Sequence, residues 1–105
     1  FRNNGNGTFT AAGTMATGAA TFPRSALVGD VDNDGDIDVM TQLANTGQIA
    51  VFRNNGTGIF SDQANYTAPA TQSEIISGDL NGDGYIDLVS TPFSAGSNAE
   101  VRFNN

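Results

Sequence analysis

The stretch Asp30-Val31-Asp32-Asn33-Asp34-Gly35-Asp36-Ile37-Asp38 returns as Asp79-Leu80-Asn81-Gly82-Asp83-Gly84-Tyr85-Ile86-Asp87. Five carboxylates in the nine residues of the first copy repel one another at short range, so such a stretch needs a positive charge to draw it together. Oxygen-bearing side chains at loop positions 1, 3, 5 and 9, with a glycine at 6 for the sharp turn, are what a hard cation such as calcium requires of a short loop. The side-chain ligands expected in the first copy are Asp30, Asp32, Asp34 and Asp38, joined by the backbone carbonyl of Asp36. In the second they are Asp79, Asn81, Asp83 and Asp87, joined by the carbonyl of Tyr85. One Ca2+ per loop is implied, so each chain would carry a pair. An acidic hairpin turn is the plainer alternative, because Asp, Asn and Gly favour turns for local reasons. A turn, however, does not require four ligand positions repeated in register.

The flanks separate this loop from an EF-hand, which has a bidentate Glu at position 12 and a helix on each side. Here position 12 is Thr41 in one copy and Ser90 in the other. Upstream lie Ser25 to Gly29 and Glu74 to Gly78, and downstream Ile37 to Thr41 and Ile86 to Ser90. All four segments are rich in β-branched and apolar residues and read as strands. A strand, a calcium turn and a second strand make a β-hairpin closed by metal.

From Gly29-Asp30 through Asp38, and from Gly78-Asp79 through Asp87, the chain resembles the FG-GAP/VCBS repeat of integrin-type β-propellers. The resemblance covers essentially the whole chain, because the residues between the loops also repeat. It implies an all-β fold in which each repeat is roughly one four-stranded antiparallel β-propeller blade, with the acidic loop joining its first two strands. Two blades are implied: 1–22 holds strand D of an incomplete blade and a crossover, 23–68 a complete blade, and 69–105 strands A to C of the next.

Phe1-Arg2-Asn3-Asn4-Gly5 matches Phe52-Arg53-Asn54-Asn55-Gly56, and Val51 to Asn55 is echoed by Val101-Arg102-Phe103-Asn104-Asn105. A period of about fifty residues with four strand signals suits a propeller blade and is too long for a leucine-rich or β-helix repeat. Phe1 to Asn4 reads as the tail of a strand C, and Thr8 to Thr14 as a strand D. In the full repeat the expected strands are Ser25 to Val31, Ile37 to Leu43, Gln48 to Arg53 and Ile59 to Tyr66. Glu74 to Leu80, Ile86 to Thr91 and Ala99 to Phe103 follow. Asn-Asn-Gly at 3 to 5 and 54 to 56 is a hairpin signal, since both residue types tolerate positive φ. Ala11 to Thr21 and Thr67 to Gln72, rich in Ala, Thr, Gly and Pro, read as crossovers.

Alternation along the strands points Ile37 and Val39, like Ile86 and Leu88, to one face of a sheet, and Asp38 and Asp87 to the other. Met40 and Val89 make that second face apolar too, so each sheet needs a neighbour on both sides. Repeat proteins bury such faces only against further repeats, and about three or more are needed for stability. The expected partner is therefore the chain itself, in a head-to-tail homo-oligomer closing into a ring. A trimer would make a six-bladed propeller and a tetramer an eight-bladed one.

Composition narrows the function. Lys and Arg total 4 against 11 Asp and Glu, with no His, and all the acids except Asp62, Glu74 and Glu100 lie in the two loops. No basic patch exists to neutralise phosphates, which argues against nucleic acid as a partner. With Cys at 0 there is neither a disulfide nor a thiolate zinc site. No apolar run is long enough to span a bilayer, so no membrane insertion is expected, and any export signal would lie outside this sequence.

Nucleophilic triads need a base that this chain lacks, and its paired carboxylates are the loop ligands, so no enzyme activity is expected. Tyr66, Tyr85 and Phe93 are candidates to stack on sugars, although core or rim packing explains aromatic residues equally well. Packing positions are expected for Phe9, Phe52, Phe60 and Phe103. Asn-x-Thr triplets at Asn6, Asn55 and Asn65 are acceptors for glycans, at a frequency that chance explains. The resemblance implies a calcium-stabilised, extracellular module binding carbohydrate or protein in an adhesion- or lectin-like role. Part of a secreted calcium-containing propeller enzyme, such as a polysaccharide lyase, is the alternative.

Overall fold

A computed structural model describes residues 1–19, 21–68, 72–92, 96 and 98–105. Among these the chain forms nine strands: β1 (Arg2–Asn3), β2 (Phe9–Thr10), β3 (Pro23–Gly29), β4 (Asp38–Leu43), β5 (Gln48–Arg53), β6 (Asp62–Thr67), β7 (Gln72–Gly78), β8 (Asp87–Pro92) and β9 (Glu100–Arg102). All pairings are antiparallel between sequence neighbours. They give a β1-β2 hairpin, a four-stranded sheet β3-β4-β5-β6 and a three-stranded sheet β7-β8-β9.

The Asn-Asn-Gly segments are the turns their composition predicts. Asn54 Oδ1 accepts the N–H groups of Gly56 (3.2 Å) and Gly58 (3.0 Å), and Asn55 N–H donates to the Ile59 carbonyl at 3.2 Å. Gly56 and Gly58 stand at φ 82° and 79°, a left-handed conformation that side chains disfavour. The same construction joins β1 to β2, with Gly5 at φ 79° and Gly7 at 84°. β5 spans Gln48–Arg53 as expected, but several ends differ. β3 and β7 stop at Gly29 and Gly78 rather than at Val31 and Leu80, because the loop's first aspartate already folds the chain back. β6 begins at Asp62 rather than Ile59, and β2 covers only Phe9–Thr10. The crossover expected at 67–72 and the aromatic Phe93 fall partly or wholly outside the described residues.

Register explains how the sheets stack. Leu27, Met40 and Val51 lie opposite one another across β3, β4 and β5 and so share one face. Met40, Ile49 and Val51 on this face form a buried cluster with Ala68 and Ile75, against which Leu88 also packs. The first sheet thus meets the second through the row Leu27-Met40-Val51. Its opposite face holds a separate cluster of Leu43, Ala50 and Phe52, packed by Val39 and Phe60. Both faces of this sheet are apolar, as its alternation requires.

Two contacts fix the approach of the sheets. A methyl group on Gly29 would lie 2.5 Å from Ile86 Cδ1, so glycine there lets β3 come close to the second repeat. Asn104 Nδ2 donates to the carbonyl of Val31 at 2.7 Å, tying the end of the second repeat to the first acidic loop. Gly78, the repeat counterpart of Gly29, has nothing within 4 Å. The second sheet's equivalent row, Ile76-Val89-Val101, is open, with Ile76 57% and Val101 47% exposed. Phe9 and Phe103 are likewise exposed rather than packed, whereas Phe52 is buried.

Candidate metal centre

Both acidic loops are built from the same two carboxylate devices. At position 1, Asp30 accepts N–H groups from Asp34 (3.1 Å) and Gly35 (2.9 Å), and Asp79 accepts them from Gly82 (2.7 Å) and Gly84 (3.0 Å). Each aspartate draws the loop into a tight coil around its own carboxylate. At position 9, Asp38 is fully buried and accepts the N–H of Val31 at 2.9 Å and of Asn54 at 2.8 Å. Asp87 repeats the pattern with Leu80 and Asn104, both at 2.9 Å. A buried carboxylate with both oxygens accepting backbone donors staples the loop to the next hairpin.

Local hydrogen bonding therefore accounts for positions 1 and 9, but not for position 3 in the first copy. Asp30, Asp32 and Asp38 bring one carboxylate oxygen each to within 4.8 Å of one another, the only such acidic group among the described residues. Oxygens that close can share one calcium ion, whose ligands lie about 2.4 Å from it and so up to about 4.8 Å apart. The donor set, all carboxylate oxygen, suits a hard cation. Partial desolvation, then the nearby carboxylates of Asp34 and Asp38, push Asp32 above the ordinary carboxylate range, with Arg53 acting against them. A cation at the centre would remove that repulsion.

The other expected ligands are not gathered in the same way. Asp34 Oδ1 accepts the N–H of Asp36 at 2.9 Å, as Asp83 Oδ1 does from Tyr85 at 2.9 Å. The Asp36 carboxylate lies over the β5-β6 turn, where a Cβ on Gly56 would come within 2.8 Å of its Oδ2. In the second loop the Asn81 amide is engaged at both ends with Asp83: its oxygen accepts the N–H at 3.0 Å and its nitrogen donates to Oδ2 at 2.8 Å. Asp79, Asp83 and Asp87 do not converge as the first-loop carboxylates do.

Three residues at the site were read from the sequence only as strand or turn. The backbone amides of Asn54 and Asn104 hold the position-9 aspartates. Arg53 places Nε 3.3 Å from Asp32 Oδ2 and Nη1 2.6 Å from Asp62 Oδ2. The signal was the Asn-Asn pair that recurs after the third strand of each repeat, at 54–55 and 104–105, whose first residue supplies the loop anchor.

An all-β chain of antiparallel meanders, with an acidic loop joining the first two strands of each of its two larger sheets, defines a tandem β-repeat protein. The chain belongs to the FG-GAP-like repeat family, whose model matches residues 1–41 and again 43–90. No curated protein and no solved structure matches it. Among the described residues no helix is long and apolar enough to cross a membrane.

Proposed function

We propose that the chain is a calcium-stabilised β-propeller module whose role is structural and ligand-binding, adhesion- or lectin-like, outside the cell. The observation that carries this reading is the convergence of Asp30, Asp32 and Asp38 in a repeated loop of the FG-GAP type. Asp30, Asp32 and Asp38 would hold the ion in the first loop, and Asp79, Asn81, Asp83 and Asp87 would hold one in the second. The ion would supply charge neutralisation and rigidity, not chemistry on a substrate. Extracellular calcium modules commonly bind at about 10⁻⁴ to 10⁻³ M, which matches a site whose carboxylates are partly engaged by backbone. A groove of about 310 Å³ between the sheets, lined by Arg53, Tyr66, Arg102 and Phe103 over Met40 and Val51, is the candidate place for a carbohydrate or protein ligand. The module acts without turnover, so incubation with polysaccharides yields binding and no product.

The two sheets are read as blades, and their stacking supplies the template for assembly. The open row Ile76-Val89-Val101 is the repeat counterpart of Leu27-Met40-Val51, which the second sheet covers. At the other end Val28, opposite Val39 on the face of the first sheet turned away from the second, is 65% exposed. A second copy placed head-to-tail would cover both ends by repeating the internal contact, a heterologous interface that closes into a ring. Light scattering on the size-exclusion peak is expected to give a trimer or tetramer in calcium and a smaller species in chelator. A calcium-indifferent monomer would refute the assembly.

A further inference from the structure

Arg53 places a permanent positive charge on a loop that must itself receive a cation. It stands at the end of β5, directly across from Asp62 at the start of β6. Its guanidinium bridges two carboxylates, with Nε 3.3 Å from Asp32 Oδ2 and Nη1 2.6 Å from Asp62 Oδ2. Asp32 is one of the three converging carboxylates, so this ion pair engages the side chain of a candidate metal ligand. The second repeat has no equivalent. Phe103 occupies the matching position, and the neighbouring Arg102 pairs with Glu100 at 2.9 Å instead.

We propose that Arg53 is a built-in competitor for the first loop, a residue that sets its cation affinity by sharing Asp32 with the ion, while Asp62 holds the guanidinium back. The inference rests on the calcium reading above. In the ion-free loop Arg53 compensates part of the carboxylate repulsion. When a divalent cation enters, the same charge repels it at short range and competes with it for the Asp32 carboxylate. Asp62 then keeps the guanidinium paired, so loading the loop does not strand it. Neutralising Asp62 should therefore turn Arg53 more fully onto Asp32 and weaken the site, an effect opposite in sign to removing Arg53.

A unit charge facing a divalent ion across roughly 6 Å of screened solvent changes affinity about 3- to 10-fold. The test is a calcium titration followed by amide NMR, in which the Gly35 and Gly84 signals report the two loops separately. Arg53→Gln is expected to tighten binding at Gly35 by about 3- to 10-fold and leave Gly84 unchanged. Asp62→Asn, which keeps Arg53, is expected to weaken the Gly35 response roughly 2-fold or more. Arg24→Gln makes the same change in net charge at the exposed start of β3, at the far end of that strand from the loop, and should move neither signal beyond the general effect of charge. Wild-type binding with Arg53→Gln no tighter, or with Arg24→Gln equally tighter, overturns the role of Arg53 while leaving calcium binding intact. Absence of a calcium response in both wild type and Arg53→Gln overturns the calcium reading and this inference together.

Discussion

Asp38→Ala is expected to remove about 2 to 5 kcal/mol of folding stability even in chelator, where no metal contribution remains. The side chain is fully buried, and its two oxygens are the partners of the Val31 and Asn54 N–H groups. Deleting it leaves two backbone donors without acceptors, each costing about 1 to 3 kcal/mol. Domains of this size have only about 5 to 15 kcal/mol in total. Asp38→Asn should fall between, since its amide oxygen satisfies one donor while its amino group opposes the other. Asp87→Ala should behave alike through Leu80 and Asn104. Urea unfolding midpoints in chelator check this. If Asp38→Ala destabilises only when calcium is present, the aspartate is a metal ligand alone and the staple is wrong.

Met40→Ala is the second large expected effect, about 2 to 5 kcal/mol, from lost transfer energy and the cavity left between the sheets. Met40 is completely buried, in a cluster that draws on both sheets. Its repeat counterpart Val89 lies on the open row beside Ile76 and Val101. Val89→Ala should cost under about 1 kcal/mol at a concentration low enough to keep copies apart, because a partly exposed side chain has less burial to lose. At higher concentration it should weaken self-association instead. Equal losses for the two variants at low concentration would mean that the open row is not open in solution.

Local chemistry made the loops, their strand flanks and the β5-β6 turn legible in the sequence. Alternation of Val39 and Met40 foretold a sheet apolar on both faces, and the structure packs both residues, each in a different cluster. What the sequence hid was long-range. Nothing near Asn104 says that its side chain reaches Val31, and nothing near Asp38 says that the amide of Asn54 will occupy its second oxygen. The two loops read almost alike, yet Asn81 turns its amide onto Asp83 while Asp32 joins Asp30 and Asp38. That difference depends on where a single side chain turns once the hairpins have closed. Phe103 and Phe9 show the same limit: their apolar character is plain, but burial depends on what the fold sets against them.

The central claim is that calcium stabilises this fold, and thermal unfolding with and without calcium tests it most directly. At 10 mM calcium and a dissociation constant of about 10⁻⁴ to 10⁻³ M, one loaded loop contributes about 1.4 to 2.7 kcal/mol. For a chain of this length that corresponds to a Tm increase of roughly 6 to 20 °C over the chelated protein. Asp32→Asn should remove most of the first loop's share. A Tm unchanged by calcium, or raised equally by sodium chloride at matched ionic strength, would contradict the account.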